Sequence, residues 1–234
     1  MSLIKEYFSL TEKYQDKYGD KTIVLMQVGA FFEVYGLFEP EKQEFTGSCI
    51  ELFSNVCDLV KKNKQICVGK KNVYMSGFRD FMLEKYLRKL EEDGFTSVVF
   101  TQDVNGKNTT RSLHNIYSPG TYFSCEETNK ITNNTTCIWL TKHRSSLMKS
   151  NDPMIYVGLS SIDIYTGKTF LYEYNTPHHH NPTSYDELER FISSYNPSEL
   201  IIIYEKFTED EISDVIQFAS IQSKLIHRVP LSLY

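Results

Sequence analysis

The chain has 234 residues, of which 41% are hydrophobic and 14% aromatic, so it can bury one large core or two modest ones. Its net charge of -5 is unfavourable for DNA binding, its five cysteines include no C-x-x-C pair, and no apolar run approaches 18 residues. These features argue against a disulfide framework, a zinc site and a membrane span, and they predict a soluble, intracellular protein with two domains.

The N-terminal region begins with a helix and continues into a strand. Residues 3–18 carry apolar side chains at helical spacing and are followed by Gly19, which predicts an amphipathic helix. Residues 23–28 are apolar without alternation, as expected of a strand that is covered on both faces. This strand is predicted to be core.

The stretch from Ile23 to Gly36 is interpreted as an apolar strand that ends in two phenylalanines and a carboxylate. The period of two places Phe31 and Glu33 on one side, about 7 Å apart, and Gly29 leaves room for close backbone approach. An exposed ring beside a carboxylate is suited to insertion between bases. The alternative is that Phe31 is a core aromatic and Glu33 a solvated charge.

Positive charge is concentrated in residues 58–90, which hold nine Lys or Arg against three acids. The stretch 58–73 is predicted to be a hairpin. It contains five lysines with no acid among them: Lys61, Lys62, Lys64, Lys70 and Lys71. Such a run is either a solvated face or a loop that follows phosphates.

The rest of the first half alternates helices and strands. A short helix is predicted near 49–56, and Ser76 is placed to cap a second helix that Gly94 ends. Strands follow at 95–101 and 109–117, joined by the Asn105-Gly106 turn. The polar segment 124–134 is the best linker in the chain, so we predict domains at 1–123 and 135–234.

The second half of the chain is predicted to form a parallel sheet that is extended by antiparallel strands. The predicted elements, in order, are strands 135–141, 154–164 and 169–174, a helix at 184–194, a strand at 199–204, a helix at 208–222 and a strand at 224–229. The fold class is therefore α/β, with an α+β first domain that contains a mixed sheet.

Several motifs resemble those of the MutS family. Gly29–Tyr35 resembles the G-D-F-Y-E motif of its mismatch-recognition domain, with Ala30 and Phe32 as departures, and its G-A-F-F-E form is similar to that of MutS relatives of large DNA viruses. Residues 75–77 and 117–121 are similar to the family's M-A-G and T-P-G-T landmarks. Residues 133–138 and 158–167 resemble the opening of its connector domain, which has a ribonuclease-H-like topology.

The resemblance implies that residues 1–123 recognise mismatches and that 135–234 form the connector. It implies that Phe31 and Glu33 bind the mismatch and that Met75 lies beside the DNA near them. With this interpretation, the five lysines are expected to contact the DNA backbone or groove. The implied partner is double-stranded DNA with mismatches or small loops. The resemblance does not fix the compartment, which would be a nucleoid, nucleus, mitochondrion or viral factory.

Full-length MutS proteins also dimerise and use ATP and Mg²⁺, whereas this chain has no G-x-x-x-x-G-K-[ST] motif. We therefore expect a fragment or a reduced relative that needs no cofactor and catalyses nothing. Two roles are open for Glu33: an ionised acceptor from a base N–H, or a protonated donor to a purine N7.

Two other functions compete with this interpretation. One is a protein-interaction module that kept the scaffold but lost DNA binding, although the non-reading partner in heterodimeric relatives lacks the F-x-E pair. The other is a nuclease, for which only Asp163 and Glu205 lie near predicted strand ends. Residues 178–180 are consecutive histidines and are interpreted as a solvated insertion without a metal.

Overall fold

The computed structural model describes residues 3–103, 110–123, 132–143, 153–179 and 181–231. The chain divides into two compact units, Met1–Ser124 and Cys125–Tyr234, each with its own hydrophobic core. Both units combine helices with a mixed sheet, which confirms the predicted α/β class. The predicted Asn105-Gly106 turn and most of the predicted linker lie outside the described residues.

The first unit is built on one mixed sheet. In its described part the helices are α1 (Leu3–Tyr18), α2 (Ile50–Cys57) and α3 (Leu83–Glu92). The strands are β1 (Thr22–Val28), β2 (Phe31–Glu39), β3 (Glu44–Thr46), β4 (Lys62–Val68), β5 (Lys71–Arg79), β6 (Thr96–Gln102) and β7 (Arg111–Tyr117). Their order is β4-β5-β2-β1-β6-β7, and β3 pairs with the far end of β2.

Strand β1 lies at the centre of this sheet, antiparallel to β2 and parallel to β6. Its residues 23–26 are fully buried, as expected from their apolar run. On one face, Tyr7 of α1 packs edge-on against Tyr35, with ring centroids 5.1 Å apart. On the other face, Phe53 of α2 packs against Phe78, with centroids 6.4 Å apart. Helices therefore cover both faces of the sheet.

The interpretation of Ile23 to Gly36 as one strand is wrong. Strand β1 ends at Val28, the chain reverses through Gly29 and Ala30, and Val28 pairs with Phe31 at the start of β2. Gly29 has a φ of 59° at the first loop position, where a type II′ turn requires glycine. A Cβ at Gly29 would meet no protein atom within 4 Å, so within the fold it is the positive φ of the turn that requires glycine here.

The predicted helix cap at Ser76 is also wrong. Ser76 is buried in the middle of β5, where it pairs with Val34, and α3 begins only at Leu83 after a 3₁₀ turn. The local capping signal is overridden because β5 pairs with β2 over eight residues. The close approach in this region occurs at Gly77, where a Cβ would lie 2.5 Å from the carbonyl oxygen of Phe32.

The second unit has antiparallel strands followed by parallel ones, as predicted. In its described part the strands are β8 (Asn134–His143), β9 (Met154–Asp163), β10 (Thr169–Pro177), β11 (Glu199–Glu205) and β12 (Leu225–Pro230), and the α-helices are α4 (Asp186–Tyr195) and α5 (Glu209–Phe218). The sheet order is β10-β9-β8-β11-β12, with β8 parallel to β11. Thr208 begins α5 with a capping box to Glu211.

Candidate nucleic-acid interface

The ring of Phe31 lies at the exposed end of the β1–β2 hairpin. Its side chain is 42% exposed, although its neighbour Phe32 is buried in the core. Phe31 pairs with Arg79 across β2 and β5, and the guanidinium carbon of Arg79 lies 5.7 Å from the ring centroid. A cation at this distance attracts the face of an aromatic ring. Phe31 is thus a surface ring with a cationic neighbour, not a core aromatic.

Glu33 shares the face of Phe31 but is not a solvated charge. It is 7% exposed, and its carboxylate accepts a hydrogen bond from the hydroxyl of Tyr35. The Nζ atom of Lys64 lies 3.3 Å from the same carboxylate oxygen. The predicted pairing of an exposed ring with an exposed carboxylate is therefore wrong: the ring is exposed and the carboxylate is covered.

The hydroxyl of Tyr35 is a permanent donor to Glu33. Burial, followed by the hydrogen bond to Glu33, raises the pKa of Tyr35 well above its ordinary value. Tyr35 is itself 1% exposed and is held against Tyr7. The donor is therefore fixed in place and stays protonated over the physiological pH range.

Three of the five predicted basic residues are paired with acids from other parts of the first unit. Lys61 lies 3.5 Å from Glu51, Lys64 pairs with Glu33, and Lys71 lies 3.5 Å from Glu39. The sequence run contains no acid, but the fold brings these acids to it. Much of the predicted positive charge is therefore neutralised within the protein.

Lys62 and Lys70 are the remaining members of the run. Both are exposed, and neither forms an ion pair with any residue that the structure describes. Lys70 lies at the β4–β5 turn beside Gly69, which has a φ of 62°. Met75 is half-buried in β5, between Tyr35 on one side and Lys62 on the other. Lys62 and Lys70 are thus the lysines of the run best placed to meet phosphates.

Sequence reasoning missed Arg79 and the hydrogen bonds that hold the hairpin. The N–H of Gly29 donates to Oε1 of Gln102 at 3.1 Å, and the N–H of Gln102 donates to Oε1 of Gln27 at 2.9 Å. The Nε atom of Arg111 donates to the carbonyl oxygen of Gln27 at 2.6 Å. Arg79 lies two residues after Gly77, so the two share one face of a strand. A strand prediction for residues 75–79 would therefore have identified Arg79 as a candidate.

The nuclease candidates of the second unit have structural partners. Asp163 accepts hydrogen bonds from the N–H of Asn133 at 3.0 Å, the N–H of Tyr165 at 3.2 Å and the hydroxyl of Thr166 at 2.6 Å. Burial alone would raise the pKa of Asp163, but these bonds outweigh it and lower the pKa below its ordinary value. Glu205 accepts from the hydroxyl of Thr141 at 3.0 Å. Both carboxylates therefore have partners within the fold.

In the part of the chain that the structure describes, no group of three or more His, Cys, Asp or Glu side chains could hold a metal ion. That part includes His178 and His179, whereas His180 lies outside the described residues. Within the same ranges, no helix has both the length and the apolar character needed to cross a bilayer.

No family model matches the chain, but individual proteins do. It is 29% identical over 209 residues, or 88% of its length, to a DNA mismatch repair mutS homologue of Acanthamoeba polyphaga mimivirus. It is 26% identical over 178 residues, or 74%, to the DNA mismatch repair protein MutS of Thermosipho melanesiensis. It is 26% identical over 132 residues, or 49%, to a mitochondrial DNA mismatch repair mutS homologue of Sarcophyton glaucum.

The chain spans 18%, 18% and 13% of the length of these three relatives, so it corresponds to a small part of each. The relatives come from a virus, a bacterium and a mitochondrial system, and two of them match across about three quarters of the chain or more. Together with the motifs of both units, these matches show that the chain is similar to MutS-family DNA mismatch repair proteins.

Proposed function

We propose that this chain is the mismatch-recognition and connector part of a MutS-type DNA mismatch repair protein. It binds mismatched or unpaired bases in duplex DNA by inserting Phe31 from the minor groove. The observation that carries the proposal is the exposed Phe31 ring at the end of a hairpin whose central residues, 22–26 and 32–36, are buried. The proposed binding does not require ATP or a metal ion bound to this chain.

Insertion of a ring between bases favours base-pair steps whose stacking and pairing are weak. Unstacking one base step costs a few kcal/mol and kinks the duplex toward the major groove. A mispaired or unpaired base has already lost part of its stacking and pairing energy, so the same insertion costs less there. The selection therefore depends on the deformability of the step and not on one particular sequence.

The basic residues supply the part of the affinity that is blind to sequence. Lys62 and Lys70 are exposed and lack acidic partners among the described residues, and Arg79 adds a cation beside the Phe31 ring, which we call the wedge. Contacts of this kind release counterions, so affinity should fall steeply with salt. The patch is small, and we expect duplex binding by this chain alone to be weak.

The test is the Phe31→Ala variant of the whole chain, measured on a duplex with one G·T mismatch and on its matched control at fixed salt. Base–aromatic stacking contributes about 1–3 kcal/mol, so the mismatch affinity should fall by roughly 5-fold to 150-fold. The affinity for the matched duplex should change little. Phe170→Ala is the control, because Phe170 is a similarly exposed ring in the second unit, at 37%.

Other outcomes separate the competing functions. A wild-type preference for the mismatch that survives Phe31→Ala would refute the wedge. Absence of any duplex binding would favour the protein-interaction module. Cleavage of labelled DNA with Mg²⁺ or Mn²⁺ that disappears in Asp163→Asn would favour the nuclease.

A further inference from the structure

We infer that Lys64 is a specificity-determining residue that holds Glu33 closed in the free protein and releases it only when a mismatch is bound. This inference rests on the proposed function and adds to it the regulation of Glu33. Its basis is geometric: a carboxylate with a 10% exposed side chain lies 3.3 Å from an ammonium whose side chain is 33% exposed. The pair is covered on the Glu33 side and open on the Lys64 side.

The backbone of β4 is shaped to deliver Lys64 to this position. The β4–β5 register shifts between Asn63 and Cys67, and Gln65 has a φ of 58°. The side chain of Asn63 accepts a hydrogen bond from the N–H of Gln65 at 2.7 Å, which stabilises the irregularity. A bulge of this kind re-aims a side chain, and it does so here next to the candidate site.

A neutral hydroxyl and several cations lie in the region of Glu33. Tyr35 donates from β2, Lys64 approaches from β4, and Arg79 at the end of β5 is engaged with the Phe31 ring. Lys64 also lies 5.9 Å from the centroid of the Tyr35 ring. Arg111 of β7 also acts electrostatically on the Tyr35 hydroxyl. Among the described residues, Lys64 is the cation in ion-pair contact with Glu33, while Tyr35 orients the carboxylate.

This pairing explains how a carboxylate can lie beside a DNA-binding wedge. An unpaired Glu33 would repel the phosphates of every duplex, but the closed pair presents no net charge. On intact duplex the wedge stays outside, Glu33 gains no hydrogen bond from a base, and the pair stays closed. On a mismatch the hydrogen bond to a base offsets the opening of the pair, and Lys64 is freed to contact a phosphate.

The test is a double-mutant cycle of Glu33→Gln and Lys64→Met, read as affinities of the whole chain for a G·T duplex and its matched control. Separating Lys64 from Glu33 costs free energy when a mismatch is bound. Either single variant removes this cost, so the double variant gains nothing further from it. On the mismatch, the double variant should bind about threefold or more weakly than the product of the single effects predicts. On the matched duplex the effects should multiply, because the pair stays closed there.

Lys62 provides the matched control, since it lies two residues away on the same strand and has no ion pair with any described residue. A cycle of Glu33→Gln with Lys62→Met should be additive on both duplexes, within about twofold. Lys64→Arg should keep the coupling, because a guanidinium can also bind a carboxylate. Circular dichroism checks that each variant is folded.

The outcomes separate this inference from the function on which it rests. A wild-type affinity ratio of one between the duplexes refutes the proposed function, and the inference falls with it. A ratio above one with additive effects of Glu33 and Lys64 on the mismatch refutes the inference alone. Equal coupling on both duplexes also refutes it, because Lys64 would then act without regard to the lesion.

Discussion

Replacement of Asp163 by alanine should destabilise the second unit strongly. Asp163 is 4% exposed and accepts three hydrogen bonds: two close the turn after β9, and the third joins this turn to Asn133 just before β8. A hydrogen bond to a charged group contributes about 1.5–3 kcal/mol, and three bonds to one carboxylate are not additive. We expect Asp163→Ala to lower the free energy of unfolding by about 3–5 kcal/mol. Asp163→Asn keeps an acceptor oxygen and should cost about 1–2 kcal/mol.

The pH dependence of this effect has a defined sign. The pKa of Asp163 is lowered in the folded protein, so the native state binds the proton less readily than the unfolded chain. The stabilisation is complete above the ordinary aspartate pKa of about 4 and is lost as the pH falls through the native value. The stability difference between wild type and Asp163→Asn should therefore be full at pH 7 and shrink below about pH 4.

The assay uses Trp139, the only tryptophan of the chain, which lies on β8 of the second unit. Its fluorescence during urea unfolding reports on that unit in the intact chain. Asp210→Ala is the control, because Asp210 is exposed in the first turn of α5 and its loss should cost only about 0.3–1 kcal/mol. The reasoning is refuted if Asp163→Ala at pH 7 is no more destabilising than Asp210→Ala.

Two further predictions concern the β4–β5 hairpin. Lys70→Glu should flatten the salt dependence of duplex binding by about one unit in a titration, and an unchanged slope would remove Lys70 from the interface. Lys71→Glu should act less on this slope, because Lys71 is already held by an acid and by a hydroxyl at 3.0 Å. Gly77→Ala should lower thermal stability by about 1–3 kcal/mol, since its Cβ would press on the carbonyl oxygen of Phe32. Gly69→Ala, whose Cβ meets open space, isolates the cost of a positive φ, and equal effects of the two variants would contradict the close approach at Gly77.

The sequence alone was sufficient to predict the elements whose apolar residues follow a clear pattern. Helix α1, the buried run of β1 and the alternating order of the second unit all follow from apolar spacing, which reflects burial against one sheet. Phe31 was singled out by its resemblance to a family motif and not by the apolar pattern, which placed it at the end of a strand where the structure has the start of β2.

Long-range partners could not be predicted in the same way. Ser76 has the local chemistry of a cap, but its pairing with Val34 depends on a strand 42 positions earlier. The ion pair between Glu33 and Lys64 likewise joins residues of two different strands, and it lies next to a register shift in β4 that the sequence does not announce. Charge counts over a segment of sequence miss such neutralisation, because acids at positions 33, 39 and 51 lie outside the basic run.

The two-residue loop between β1 and β2 has a consequence for the entropy of binding. It ties Phe31 directly to the most deeply buried strand of the first unit, so the backbone of the wedge is ordered when the protein folds. An aromatic ring on a long flexible loop would lose backbone conformational entropy each time it bound DNA, at a cost of about 1–2 kcal/mol per residue. If Phe31 acts as proposed, only its side chain has freedom left to lose, so little of its stacking energy would be spent on ordering the protein.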